Sequence, residues 1–242
     1  MGFTNRWVCE TEEDIDLGVI KQTLEEHFGS RIGKEHELKS IVTIDSEIEG
    51  SECNYLCGKL HYQEEEDITD YEITELKKLK MVPKTVRRTY YVDFWIASNG
   101  LILFGKSGDK NKIINNGKDL LSQIMFDSND SINKVKFDIK RIEEDALAGR
   151  HDGMWTFSFD GRLGNISKGT AFGEEVHEDP VYGSFRSAPK KFIGVKKEVD
   201  GNEIKVAIFE GGTFRIHTDL EDSVYIPQVF ESIEEFREYA IR

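Results

Sequence analysis

TVRRTYYVDFWIASNGLILF, residues 85–104, is the stretch whose reading decides the fold. Residues 85–98 are rich in β-branched and aromatic side chains, which fit a pleated strand. Asn99-Gly100 separates them from a second apolar run, Leu101 to Phe104. Both central residues of a type I′ turn need positive φ, so Asn-Gly between two apolar runs predicts a hairpin. Phe94 and Trp95 alternate, so one of them leaves the core or both sheet faces are covered.

Toward the C-terminus, residues 117–126 read as a helix, and 133–141 as a strand with Val135, Phe137 and Ile139 on one face. A short helix, 142–148, ends at Gly149. Residues 154–168 read as a hairpin about Asp160-Gly161, with Trp155, Phe157 and Phe159 sharing a core face. The Gly-, Pro- and charge-rich segment 169–190 is expected to be a long loop. Residues 191–218 read as a three-stranded meander turning at Asp200-Gly201 and Gly211-Gly212. The last helix, 233–241, opens on Ser232 with Glu235 three residues on, a capping box.

Toward the N-terminus, residues 39–49 and 54–63 read as strands and 5–9 as the start of another. Ile15, Val19, Ile20, Leu24 and Phe28 recur at helical spacing over 11–28, with Gly29 as the stop. Glu64-Glu65-Glu66-Asp67 is expected to be a solvated loop, and 70–81 a short helix carrying Ile73, Leu76 and Leu79.

The resulting class is α+β: mainly antiparallel strands (hairpins and the C-terminal three-stranded meander) with four to five short helices. An acidic N-terminal α+β part, 1–81, is followed by a β-rich part, 82–242, or the two form one continuous domain. Hairpin–helix units at 85–126 and 203–241 make a faint repeat, Val92, Phe94 and Ile96 corresponding to Ile204, Val206 and Ile208.

The chain has 242 residues and a net charge of −14. Its charge is unevenly laid out: residues 1–76 carry −14, 77–142 carry +8, and 143–242 carry −8. No apolar run reaches the roughly 18 residues of a membrane span. The N-terminal residues lack the apolar core of a secretory signal, and Arg6 breaks the myristoylation pattern. Three cysteines, an odd number, argue against a disulfide framework and for a reducing, cytoplasmic setting.

Several motifs invite chemistry. Gly100-Leu-Ile-Leu-Phe-Gly105-Lys106-Ser107 matches the phosphate-binding P-loop pattern literally. Its four middle residues are large and apolar, so they fit the second strand of the hairpin better than a loop facing phosphate. Asp127, Asp138 and Lys140 fit a nuclease-like pattern, in which two carboxylates hold Mg²⁺ or Mn²⁺ and the lysine positions water. Four [Asp/Glu]-x-Lys triplets occur in the chain, so the match discriminates little. Cys53, Cys57 and His61 lie too far apart along a strand to share one metal, so no metal or other cofactor is assigned. His151-Asp152, and His177 with Asp179, lack a marked nucleophile.

The basic segment remains. Lys77, Lys78, Lys80, Lys84, Arg87 and Arg88 form one cluster, Lys106, Lys110, Lys112 and Lys118 a second. Lys134, Lys136, Lys140 and Arg141 form a third, the first three on the polar face of the expected strand. These cations point to an anionic surface, nucleic acid or acidic protein, unless they complement the acidic N-terminal part of the chain itself. The expected function is a non-catalytic binding or accessory subunit of a heteromeric assembly, with no membrane contact. A metal-dependent nuclease or phosphohydrolase is the first alternative, a pure protein–protein adaptor the second.

Overall fold

The computed structural model describes residues 4–49, 53–75, 78–105, 111–163, 166–199, 202–217 and 232–241. The architecture is α+β and almost entirely antiparallel. In chain order it runs β1 (Thr4–Glu10), α1 (Leu17–Glu25), β2 (Phe28–Ile32), β3 (Glu37–Glu49), β4 (Asn54–Ile73), β5 (Leu79–Ala97), β6 (Leu101–Gly105) and α2 (Asn111–Phe126). Then follow β7 (Asn133–Lys134), β8 (Lys136–Phe137), α3 (Ile139–Leu147), β9 (Met154–Leu163), β10 (Ile166–Phe172), α4 (Pro180–Phe185), β11 (Phe192–Val199), β12 (Asn202–Phe209) and β13 (Thr213–Ile216). Residues 232–236 are helical, followed by a 3₁₀ turn (Arg237–Tyr239) and β14 (Ala240–Ile241).

One sheet joins nearly all the strands in the order β10-β9-β11-β12-β13-β1-β6-β5-β4-β3-β2. The expected hairpin forms, but not through a type I′ turn: only Gly100 is at positive φ (88°), Asn99 is not, and the Gly100 N–H donates to the Ala97 carbonyl at 3.1 Å, the three-residue loop with glycine in the left-handed position. The buried strand β6 lies at the centre and sends Leu101 and Leu103 to one core, Ile102 and Phe104 to the other. A strand covered on both faces has no polar side, which is why LILF shows no alternation. Trp95 and Phe94 divide between the two cores in the same way.

The cores are offset across the sheet. Under α1 and α2, Ile20, Leu24, Ile114 and Leu121 pack on Leu56, Leu60, Val92 and Phe94. On the opposite face, α3, α4 and residues 232–239 cover β9, β11, β12 and β13 through Ile142, Tyr182, Phe185 and Phe236. The two expected hairpin–helix units therefore place their helices on opposite faces. The division at 81/82 falls inside β5, which pairs with β4 on both sides of the cut, so the two parts share one sheet.

Several expectations are corrected. The helix over 11–28 shrinks to α1: Asp16 accepts hydrogen bonds from Gly18 and Val19 N–H and starts the helix there. Gly29, expected as its stop, lies in β2. The strand over 133–141 is interrupted at Val135, between β7 in the large sheet and β8 in the small one, and ends at Phe137, because Asp138 caps α3 by accepting from the Arg141 N–H. Hence Lys134, Lys136 and Lys140 do not share a strand face. The turn of the hairpin expected at Asp160-Gly161 lies further on, since β9 runs to Leu163. A register shift between Gly194 and Val195 skips Trp155, and Met154 joins Phe157 and Phe159 in the core instead. Trp155 is buried elsewhere, against Phe172 and His217. The loop over 169–190 contains the end of β10 and α4, which Asp179 caps. Ser232 Oγ has no hydrogen-bond partner among the described residues, so the capping box is not made. The turn at Asp200-Gly201 lies outside the described residues.

Candidate protein interaction surface

The largest departure from expectation is a long hairpin. The acidic run is not a loop and 70–81 is not a helix: β4 and β5 pair without a break from Tyr55↔Ala97 to Ile73↔Leu79. Beyond Tyr62, the last β4 residue paired with β3, the two strands continue as a ribbon.

Each acid of the run has a partner. Glu64 receives the Asn116 amide and lies 3.6 Å from Lys112, tying the ribbon root to α2. Glu65 accepts from the N–H groups of Lys34, Glu35 and His36, closing the turn between β2 and β3. Those amides, Glu35 first, hold its carboxyl below the usual carboxylate range. Glu66 takes Arg88 at 3.0 Å and the Tyr90 hydroxyl. Asp67 takes Lys34 at 2.8 Å and the Thr85 hydroxyl at 3.0 Å.

Similar contacts engage half of the expected cationic site, Arg88 and Lys112 included. Lys84 lies 3.6 Å from Asp70, Lys118 2.6 Å from Asp119, Lys140 3.6 Å from Glu144, and Arg141 3.1 Å from Glu238. Arg87 donates to the Glu37 carbonyl at 3.2 Å. Lys134, on β7, is exposed, and partial desolvation of its ammonium lowers its pKa. Lys78, Lys80 and Lys136 are exposed. Lys77, Lys106 and Lys110 lie outside the described residues. Among the described residues the clusters are partly together: Lys112 of α2 shares the ribbon root with Arg88 through Glu64, and Lys118 and Lys134 both lie near Cys9, whereas Lys140 and Arg141 lie on α3, across the sheet.

The catalytic alternatives are dispersed likewise. Asp127 follows α2 at φ 55° and accepts from the Gln123 amide. Asp138 and Lys140 belong to α3 on the other face, so the nuclease set is not assembled. Residues 101–105 are strand, so the four middle residues of the P-loop match do not form a phosphate-facing loop; Lys106 and Ser107 lie outside the described residues. Cys57 and Cys9 sit in different cores, and burial pushes the Cys9 thiol up to about 12. No group of three His, Cys, Asp or Glu able to hold a metal occurs among the described residues. Asp152 accepts the Glu198 N–H at 2.9 Å, and Asp179 caps α4, so neither orients its neighbouring histidine.

His151 has another role. Neither ring nitrogen has a hydrogen-bond partner among the described residues, and the ring packs 5.1 Å from Phe236 and 6.1 Å from Tyr239. Burial first, then Lys197, lowers its pKa against the opposing pull of Asp145, Glu235 and Asp152. Burial also lowers His27 and His217. In each case the unfolded chain takes up the proton at a higher pH than the folded one. Stability is therefore full above the unfolded value of about 6.5 and falls as the pH drops below it. Urea titrations at stepped pH should show this slope, and His151→Phe should flatten it; a midpoint independent of pH between neutrality and mild acid would contradict the assignment.

What remains is surface, and no motif marks it. On β2–β5 the face away from α1 and α2 carries the cross-strand row Phe28–Ile41–His61–Tyr91. Phe28 is 67% exposed and Ile41 41%. Beside it lie Lys39, its ammonium 5.8 Å from the Phe28 ring, and Gln63 and Thr89. Strand β2 is the edge of the sheet, with Ile32 85% exposed. Period-two reading could find which residues share this face, but not that it stays uncovered. The other helix-free face, over β9–β12, is partly covered by charge, since Lys196 is buried against Glu174 and Glu175 and Lys205 joins Glu174 at 2.9 Å; its one strongly exposed apolar side chain among the described residues is Phe172 on the edge strand β10, which packs beside Trp155.

The chain matches no family model and no curated protein. Among the described residues, no helix is long and apolar enough to cross a membrane.

Proposed function

We propose that this protein is a non-catalytic binding subunit of a heteromeric protein assembly, and that its partner docks on the open face and edge of β2–β5. The observation that supports this reading most is the exposed row centred on Phe28 and Ile41 at an uncapped sheet edge. Exposed apolar surface of this kind, rimmed by polar groups, marks interaction sites, and a bare edge offers backbone groups for a further strand. Among the described residues, Lys84, Arg88, Lys112, Lys118, Lys140 and Arg141 are already ion-paired within the ribbon and helices, which favours a protein partner over nucleic acid. The net charge of −14 steers association toward a basic partner.

Affinity capture from the native source with Phe28→Asp/Ile41→Asp as control tests the reading. The double variant should lose the specific partner, by about a hundredfold in affinity, since two central apolar contacts are each replaced by a buried charge. Its melting temperature should stay near that of the parent, because both side chains are exposed. Equal capture by the two proteins would refute the proposal.

A further inference from the structure

The tip of the β4–β5 ribbon is a second surface. Beyond Asp67, which still reaches Lys34, six residue pairs run from Ile68↔Lys84 to Ile73↔Leu79, a projection of roughly 20 Å. Directly opposed residues share a face, so Tyr71 and Met81 form one row and Ile73 and Leu79 the next. All four are strongly exposed: Tyr71 59%, Met81 64%, Ile73 77% and Leu79 71%. The next row is Thr69 and Pro83, so no described residue of these three rows is charged. The other ribbon face holds the ions, Asp70 with Lys84 and Glu72 opposite Lys80.

From this we infer that the ribbon tip pairs with the tip of a second copy of the chain, apolar face on apolar face. An interface between identical copies must be complementary to itself, and an uncharged apolar patch meets that condition without any like-charge contact. The main objection to self-association is the charge of −14 on each copy. The ribbons answer it: overlapped face to face, they keep the bodies roughly 20 Å apart, between two and three Debye lengths, the Debye length being about 8 Å at physiological salt. Four side chains per copy give an interface below the roughly 1,200 Å² of stable complexes, so the pairing is weak and concentration-dependent. The tip lies on the same side of β4 and β5 as the row at His61 and Tyr91, and is set apart from it along the ribbon by the polar pairs Glu65–Arg87 and Asp67–Thr85.

Sedimentation equilibrium of the purified full chain over rising concentration is the test. The mass should move from 27.8 kDa toward that of a dimer as the protein is concentrated, and added salt should leave the association unchanged or strengthen it. Ile73→Lys/Leu79→Lys should remain monomeric with an unchanged thermal melt, whereas Ile73→Val/Leu79→Met should still associate. A parent protein that stays monomeric throughout would overturn the inference. So would a lysine variant that associates like the parent, or tip-dependent binding of the monomer to neutral lipid vesicles.

Discussion

Gly212→Ala is expected to cost more than about 4 kcal/mol and to lower the melting temperature by roughly 10 °C or more. Gly212 sits in the turn between β12 and β13 at φ 79°, a left-handed conformation that costs an L-residue about 1–2 kcal/mol. Its carbonyl accepts the Val8 N–H at 2.8 Å, and the Val135 N–H donates to the Val8 carbonyl at 3.0 Å. Three distant segments therefore meet at this residue. A Cβ on Gly212 would lie 1.9 Å from the Val135 carbonyl oxygen, a backbone atom that cannot rotate away. Two companion variants separate the causes. Gly149 shares the conformation, at φ 77°, but has open space around its Cβ position, so Gly149→Ala should cost only the backbone strain. Gly211 also faces open space, so Gly211→Ala should be nearly neutral. Equal melts for the alanine variants at 211 and 212 would show that the three segments do not meet as described.

Lys190→Met should destabilise the fold by about 3–5 kcal/mol, the usual cost of leaving one half of a buried ion pair. The Lys190 side chain is 2% exposed and its ammonium lies 3.2 Å from Glu143. It also donates to the carbonyls of Phe185 at 2.9 Å, Arg186 at 3.2 Å and Ala188 at 2.9 Å, satisfying the end of α4. Glu143 accepts the Tyr182 hydroxyl at 2.5 Å, so α3, α4 and the segment before β11 meet at one carboxylate. With the ammonium fully engaged, the pair is structural although both groups line a cavity beside α3. Changing Glu143→Leu together with Lys190→Met should recover most of the loss, because no charge is then stranded. Chemical denaturation of the single and double variants measures both effects; additive losses would contradict the coupling.

How far these features could be foreseen depends on the range of the forces that make them. Asn99-Gly100 and the LILF run declared the central hairpin because turn chemistry and double-sided burial are written in consecutive residues. The ribbon was hidden for the opposite reason. Glu64 to Asp67 read as solvent-facing when considered alone, yet their partners are Lys112, Asn116, the 34–36 amides, Arg88 and Thr85. Residues 70–81 show helical spacing of Ile73 and Leu79, but on the strands these two stand opposite each other across the ribbon. The strand over 133–141 failed at two places: at Val135, where the chain passes from the large sheet to the small one, and at Asp138, whose side chain caps α3. The charge layout was legible: a +8 segment within an acidic chain did anticipate contact between opposite charges. Its consequence was internal, since much of the segment is spent on ion pairs within the fold. The exposed row at Phe28 and Ile41 carries no local signature, because exposure records what the rest of the chain leaves uncovered.

Amide hydrogen exchange of the protein, alone and in its purified native complex, tests the central claim most directly. The account predicts that complex formation slows exchange along Phe28–Ile32 and in the adjoining part of β3 around Ile41, while β9–β13 stay unchanged. Protection confined to β9–β13 or to α2 and α3, with the β2 edge exchanging as fast as in the free protein, would contradict it.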